Sequence, residues 1–149
     1  MRTALLLTHV AVTLFLTGVI WMVQVVHYPL FPLVGSGAFA GYEAAHSTRM
    51  GALLALPWAL QGATGLALLA YRPAEVPLWL ALADLALAGV TVAVTVLVSV
   101  PQHELLGAGF DPAAHRTLLT TNWLRTIAWT ASAVAVLVML GLVLRAGEP

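Results

Sequence analysis

Histidine, glutamate, tyrosine and arginine side chains, which can bind metals or move protons, cluster at the ends of the apolar segments of this chain. The chain has only 5 histidines and 6 acidic residues. Spacings of three, four or seven residues place several of these side chains on one face of a helix. The sequence therefore predicts one polar site where four helix ends meet. Its candidate residues fall into four groups along the chain: Gln24, His27 and Tyr28; Tyr42, Glu43, His46 and Arg49; His103 and Glu104; and His115, Asn122, Arg125 and Trp129.

A transition metal is the first cofactor that these residues could hold. Neutral imidazole nitrogens bind zinc, copper and iron, and carboxylates can complete the ligand shell. The chain has no compact metal motif such as HExxH, so the spacing alone does not identify the metal. The candidate metal ligands are His27, His46, His103, Glu43 and Glu104.

Haem b is the second candidate cofactor. Two histidines on different helices could be its axial ligands, since imidazole is a common haem ligand. Arg49 and Arg125 could pair with the two haem propionates. The predicted cofactor contacts are Arg49, Tyr42 and Trp129. The cofactor therefore stays open between a transition metal and haem b.

A reaction without any cofactor is the third option. A histidine would act as general base, while an arginine and an asparagine bind an oxyanion. The predicted catalytic residues are His46, His103, Asn122 and Arg125. Each residue taken alone also fits a belt of polar and aromatic side chains at the lipid headgroups. The convergence of four groups at one depth favours a site.

The elements that must position these residues are long apolar helices. Of the 149 residues, 61% are hydrophobic and 8% are charged, and the mean hydropathy is +0.97. Four apolar runs each approach the roughly 20 residues that a helix needs to cross a bilayer, and none alternates like a strand. We predict an all-α, polytopic four-helix membrane bundle that forms one domain over residues 1–149. Its spans are expected at about 4–26, 48–71, 76–100 and 122–144.

Four spans place both termini on one side of the membrane and the polar site on the other. Two long connections, 26–49 and 101–124, lie on the side of the site. Each carries a helix-start signal, at Ser36 and at Asp111 followed by Pro112. Helices 2 and 4 are therefore predicted to project beyond the bilayer, opposite the termini. The free amino terminus favours termini in the cytoplasm, and we expect the plasma (inner) membrane of a bacterium.

Asp84 lies inside the third span, away from the polar site. A carboxylate at that depth marks either a functional group or a packing contact. Gln61 is at a similar depth in the second span and is the predicted partner of Asp84. We expect a protonated Asp84 that is hydrogen-bonded to Gln61 and holds the two helices together.

The composition argues against several partners. The chain has no cysteine, no lysine and no basic cluster. Disulfides are therefore excluded, and nucleic-acid binding is disfavoured. The predicted partners are the lipid bilayer and a lipophilic small molecule, and association into a homo-oligomer stays open.

Four short motifs in the chain resemble a group of small bacterial four-helix membrane proteins, which is similar to the anthrone-oxygenase-like family. The resemblance covers most of the chain, and its most specific part is the last motif. It implies a four-helix membrane domain whose fungal relatives are associated with the oxidation of polycyclic phenolic substrates. The motifs are His27-Tyr28-Pro29, the stretch from Phe39 through Tyr42 to His46, Pro101-x-His103-x-x-Leu106, and Asn122-Trp123-x-Arg125-Thr126-x-x-Trp129.

The leading prediction from the sequence is a membrane-embedded redox or oxygenase-type enzyme that acts on a lipophilic substrate. His46 and His103 are expected to be central, as metal ligands or as bases. Two alternatives stay open, a haem- or metal-binding electron carrier and a cofactor-free accessory subunit. A transporter is disfavoured because no span is visibly broken at the membrane midplane.

Overall fold

The computed structural model describes residues 1–147 as four long helices joined by short connections. We number them α1 (Arg2–Leu33), α2 (Ser36–Tyr71), α3 (Leu78–Gly107) and α4 (Pro112–Ala146). Each is long and apolar enough to cross a membrane. This confirms the predicted all-α membrane bundle.

The helices run up and down in a ring, and each contacts two neighbours: α1 packs on α2, α2 on α3, α3 on α4, and α4 on α1. Both described chain ends and the α2–α3 connection lie at one end of the bundle, which we call the terminal end. The other two connections lie at the opposite end, which we call the site end. At the terminal end, the Arg72 guanidinium donates to the carbonyls of Leu69 (2.8 Å) and Val76 (3.0 Å) and so closes the α2–α3 connection.

The helices continue further than the sequence predicts at the site end. α1 passes through a π-helical turn (Val23–His27) into a 3-10 turn (Tyr28–Leu33), and α3 passes through a π-helical turn (Thr95–Ser99) into a last helical segment (Val100–Gly107). Residues 34–35 and 108–111 are all that remains of the two connections that we predicted to be long. Pro101 does not end α3 because it stands in the first turn after a π turn, where its missing N–H is tolerated.

All four helices, and not only α2 and α4, are therefore longer than the bilayer is thick. With 30 to 36 residues each, they extend over about 45–54 Å, against about 30 Å of hydrocarbon. The predicted projection of helices 2 and 4 is thus shared by α1 and α3.

The two predicted helix starts differ in how they are capped. Asp111 caps α4 as predicted, because its Oδ1 accepts from the backbone N–H groups of Ala113 (2.7 Å) and Ala114 (2.9 Å). Ser36 does not cap α2. The cap residue is Gly35, whose φ of +82° suits a residue without a Cβ, and Ser36 is the first residue of the helix.

The bundle has two apolar cores, with buried polar side chains lying among and between them. The core at the terminal end is built around Leu6, Leu68 and Met139. The core at the site end is more aromatic and contains Phe31 and Phe39. The buried polar residues in the body of the bundle include His9, Thr13, Gln61, Thr64, Asp84 and Ser132.

Candidate functional site

Side chains from α1, α2 and α3 meet at the site end of the bundle. α1 brings His27 and Tyr28 at its π turn, where the extra residue turns the following side chains relative to the rest of the helix. α2 brings Glu43 and His46, which are one turn apart and both buried. α3 brings His103, one turn beyond its own π turn. This cluster therefore joins three of the four helix ends that the sequence predicts to meet.

Two imidazoles face each other across α1 and α2. Nε2 of His27 lies 2.7 Å from Nδ1 of His46, so one nitrogen donates and the other accepts. The Tyr42 hydroxyl lies 3.5 Å from the same nitrogen of His27. Two neighbouring imidazoles that are both protonated would repel each other, so the contact favours at least one neutral ring, which is the form that binds metals.

A second chain of hydrogen bonds joins Tyr28, His103 and Glu43. Nδ1 of His103 donates to Oε1 of Glu43 over 2.6 Å, and Nε2 of His103 lies 2.9 Å from the Tyr28 hydroxyl. The Ser47 hydroxyl also donates to Oε1 of Glu43, at 3.0 Å. Oε2 of Glu43 has no hydrogen-bond partner, although the residue is only 1% exposed. A buried carboxylate oxygen without a partner is costly unless something else binds it.

The carboxylate and two of the histidines can converge on a metal ion. One donor atom from each of Glu43, His46 and His103 lies within 4.8 Å of the others. Two donors on one tetrahedral ion are about 3.3 Å apart when each bond is about 2.0–2.1 Å. The side chains would therefore need to move by about an ångström or less. His27 is next to this group through its contact with His46.

Haem does not fit between these imidazoles. Two axial nitrogens on one iron must be separated by roughly 4 Å, twice a metal–nitrogen bond of about 2 Å. His27 and His46 are 2.7 Å apart at their nitrogens. The rings of His46 and His103 lie side by side, with their centroids 5.1 Å apart and their planes tilted by 31°. No space for a porphyrin separates either pair.

A cavity of about 580 Å³ adjoins the histidines and reaches into the membrane part of the bundle. Its polar wall includes Tyr28, Glu43, His103 and Arg125, and most of its remaining wall is apolar. This size lies within the range of about 300–1,000 Å³ that is typical of small-molecule sites. The arrangement can hold a mostly apolar molecule with one polar end.

The Arg125 guanidinium is held from behind by a buried amide network. It donates to Oδ1 of Asn122 (3.1 Å) and to the hydroxyl of Ser99 (3.4 Å). The Asn122 side-chain amide in turn donates to Oε1 of the Gln24 side chain, at 2.8 Å. The Trp129 ring lies beneath the guanidinium, 5.5 Å from the ring centroid to the central carbon. Asn122 does not line the cavity, so it positions Arg125 rather than facing a bound molecule.

Three other sequence-predicted residues stand apart from the cluster. Arg49 is exposed and does not line the cavity. Glu104 is exposed at the cavity rim and lies outside the group of converging metal donors. His115 donates to the backbone carbonyl of Tyr28, at 2.8 Å, which ties α4 to the end of α1.

The predicted pairing of Asp84 with Gln61 is wrong. The Asp84 carboxylate hydrogen-bonds to Nε2 of His9 (2.7 Å) and to the Ser132 hydroxyl (2.5 Å). Gln61 instead accepts from the indole N–H of Trp129 (3.1 Å) and donates to a threonine hydroxyl on α1. The hydrogen bonds of Asp84 therefore go to α1 and α4.

His9 is the polar residue that sequence reasoning missed. Besides Asp84 it contacts the Thr64 hydroxyl, with 2.7 Å between Nδ1 and the oxygen. The similar depth of His9 and Asp84 in their helices could have indicated this pairing. His9 is seven residues into α1, and Asp84 is six residues into α3 from the same end. At 1.5 Å per residue, the two are about 10 Å and 9 Å from the terminal end.

Comparison of the chain with protein-family models, with curated proteins and with solved structures found no match.

Proposed function

We propose that this integral membrane protein is a metal-dependent enzyme of the redox or oxygenase type that acts on a lipophilic molecule. One observation carries the proposal. Donor atoms of Glu43, His46 and His103 lie within 4.8 Å of one another, beside a cavity of about 580 Å³ with a largely apolar wall. A metal centre and a substrate space are thus adjacent.

The donor set is compatible with redox chemistry. Two imidazoles and one carboxylate that leave coordination positions open are typical of non-haem iron oxygenases. The same set also occurs at catalytic zinc sites, so the identity of the ion has to be measured. The unpartnered Oε2 of Glu43 supports this assignment, because a cation would compensate for its burial.

The neighbouring residues have supporting roles in this proposal. His27 contacts His46 and orients its ring. The Tyr28 hydroxyl, at 2.9 Å from His103, can exchange a proton with that imidazole at the cavity wall. Outer contacts of this kind orient metal-binding histidines.

Acid–base catalysis without a metal is the second candidate. Glu43, His103 and Tyr28 are hydrogen-bonded in that order, which supports this candidate. In hydrolytic triads a carboxylate likewise orients an imidazole, and the imidazole activates a hydroxyl. In this case His103 would take the proton of Tyr28, and Glu43 would stabilise the charged imidazole.

The finer assignments form part of the same proposal. The resemblance to anthrone-oxygenase-like proteins agrees with an oxygenase that acts on lipophilic substrates. The plasma membrane of a bacterium is the proposed location, with the termini in the cytoplasm and the metal site on the outer side.

Metal analysis of detergent-purified protein tests the proposal. The protein is stripped with a chelator, loaded anaerobically with Fe(II) or with Zn(II), desalted and analysed for bound metal. Wild-type protein is expected to retain one ion per chain. Glu43→Gln is expected to lose it, because the amide replaces a charged donor with a weak neutral one.

Glu104→Gln is the matched control, since it makes the same change at an exposed glutamate outside the converging donors. Loss of metal in both variants, or in neither, contradicts the proposed site. If the wild-type protein retains no metal, the metal proposal fails. Activity that depends on Tyr28 and His103 under chelation would then support the acid–base alternative.

A further inference from the structure

Arg125 is a buried cation that has no anionic partner among residues 1–147. The residue is only 6% exposed and stands within an apolar helix. Residues 1–147 form only two ion pairs, and these involve His9 and His103. No carboxylate of these residues therefore lies within 4.0 Å of the Arg125 guanidinium. The polar side chains beside it, on Asn122, Ser99 and Tyr28, are neutral. A charge buried in apolar surroundings without a partner is costly, and such groups usually face a ligand or a pathway.

The guanidinium is also incompletely hydrogen-bonded. Its Nε–H is buried and has no acceptor. Arg125 lines the cavity together with Trp58 and Trp129, so a molecule in the cavity can reach it. Of the two carboxylates that line the cavity, Glu43 is already bonded to His103 at 2.6 Å, and Glu104 is exposed at the rim. An anionic group that entered the cavity would therefore find its complementary charge at Arg125.

The cavity opens sideways between α2 and α3. The π turn Thr95–Ser99 packs on α4. Gly51 and Ala55 on α2 and Val100 on α3 line the cavity and are also exposed on the outside of the bundle. The small side chains on α2 leave the gap unfilled. Because the outer surface of these apolar helices faces lipid, the opening leads into the bilayer.

We infer that the cavity binds a lipophilic anion, a molecule with an apolar body and one anionic oxygen-containing head, such as a carboxylate or an ionised phenol. The molecule enters from the bilayer between α2 and α3 and places its head against Arg125. The bound anion would be the substrate of the proposed enzyme, so its chemical conversion rests on the proposed function. Its binding at Arg125 does not.

Tryptophan quenching by a brominated medium-chain carboxylic acid tests the inference, with the brominated alcohol of equal length as the neutral probe. Trp58 and Trp129 line the cavity, whereas Trp21, Trp79 and Trp123 are exposed. The exposed three are first replaced by phenylalanine, so that the signal reports on the cavity. Measurements are made at mildly alkaline pH and with a chelator present, which makes them independent of any metal.

The acid is expected to half-saturate the quenching at a concentration at least about tenfold lower than the alcohol, since a hydrogen bond to a charged group is worth about 1.5–3 kcal/mol. Arg125→Gln is expected to remove that difference. If the acid and the alcohol half-saturate the quenching at equal concentrations in protein that retains Arg125, the inference is overturned. A difference that persists in Arg125→Gln also overturns it.

The route of entry has its own matched pair of variants on α2. Ala55 lines the opening, whereas Ala59, one turn further along, is exposed and does not line the cavity. Ala55→Leu is expected to slow quenching by both probes several-fold, and Ala59→Leu is expected to leave the rate unchanged. If both variants behave alike, the opening between α2 and α3 is not the route. Failure of metal binding would leave all of these outcomes unaffected.

Discussion

Removal of the Asp84 carboxylate is expected to destabilise the bundle strongly, although this residue is far from the proposed site. The carboxylate is 2% exposed and accepts from His9 at 2.7 Å and from Ser132 at 2.5 Å. Asp84→Ala leaves both of those buried groups without an acceptor. Each unsatisfied group costs about 1–3 kcal/mol in proteins, whereas hydrogen bonds between membrane helices average nearer 0.6 kcal/mol. We expect a loss of about 2–4 kcal/mol in the free energy of unfolding.

The free energy of unfolding is measured by titrating bicelle-reconstituted protein with a denaturing detergent. Thr91→Ala is the control on the same helix, because the Thr91 hydroxyl is buried but bonds only to the carbonyl of Ala88 within α3. It should lose less than about 1 kcal/mol. In a double-mutant cycle, His9→Ala and Asp84→Ala should show a coupling energy of about 1–3 kcal/mol. A coupling near zero, or equal losses for Asp84→Ala and Thr91→Ala, would refute the account of this network.

Two further substitutions test the packing and the capping of the bundle by the same unfolding measurement. Gly65→Ala should be less stable than Gly62→Ala by about 1 kcal/mol or more. The new Cβ at residue 65 would lie 3.3 Å from Cε1 of buried His9, whose ring is held in place by hydrogen bonds to Thr64 and Asp84. A Cβ at Gly62 meets nothing within 4 Å, so Gly62→Ala should be neutral or stabilising by up to about 1 kcal/mol. The packing argument is wrong if the two glycines respond alike. Asp111→Ala should lower the free energy of unfolding by about 1 kcal/mol, because the first turn of α4 loses the acceptor of its N–H groups. Asp111→Ser should keep most of that free energy, because serine can also cap a helix. Equal losses in both variants would exclude the cap.

The sequence predicted the helices well because membrane spans depend on length and apolar composition. It was less accurate where helices end. The sequence predicts a third span that ends at about residue 100, but the helix continues through a π turn and past Pro101 to Gly107. A π turn depends on how a helix packs against its neighbours, and no residue pattern in the chain announces it.

The site was predicted in part for a related reason. His46, His103 and Glu43 come together as expected. Arg49 and Glu104 do not join them, although they lie at the same end of their helices. Spacing along a helix gives the depth of a side chain, at about 1.5 Å per residue. The direction in which the side chain points around the helix axis depends on the rotation of the whole helix, and spacing does not specify that.

The amino-acid sequence by itself therefore determined that the chain forms four apolar helices and that its ionisable residues gather mainly at the end opposite the termini. Both properties follow from composition and from distance along the chain. The tertiary structure alone decided which of those residues meet. It paired Asp84 with His9 instead of Gln61, put Asn122 behind Arg125, and left Arg125 as an unpaired cation at the cavity. These outcomes depend on how four helices rotate against one another, and packing of the whole bundle sets that rotation.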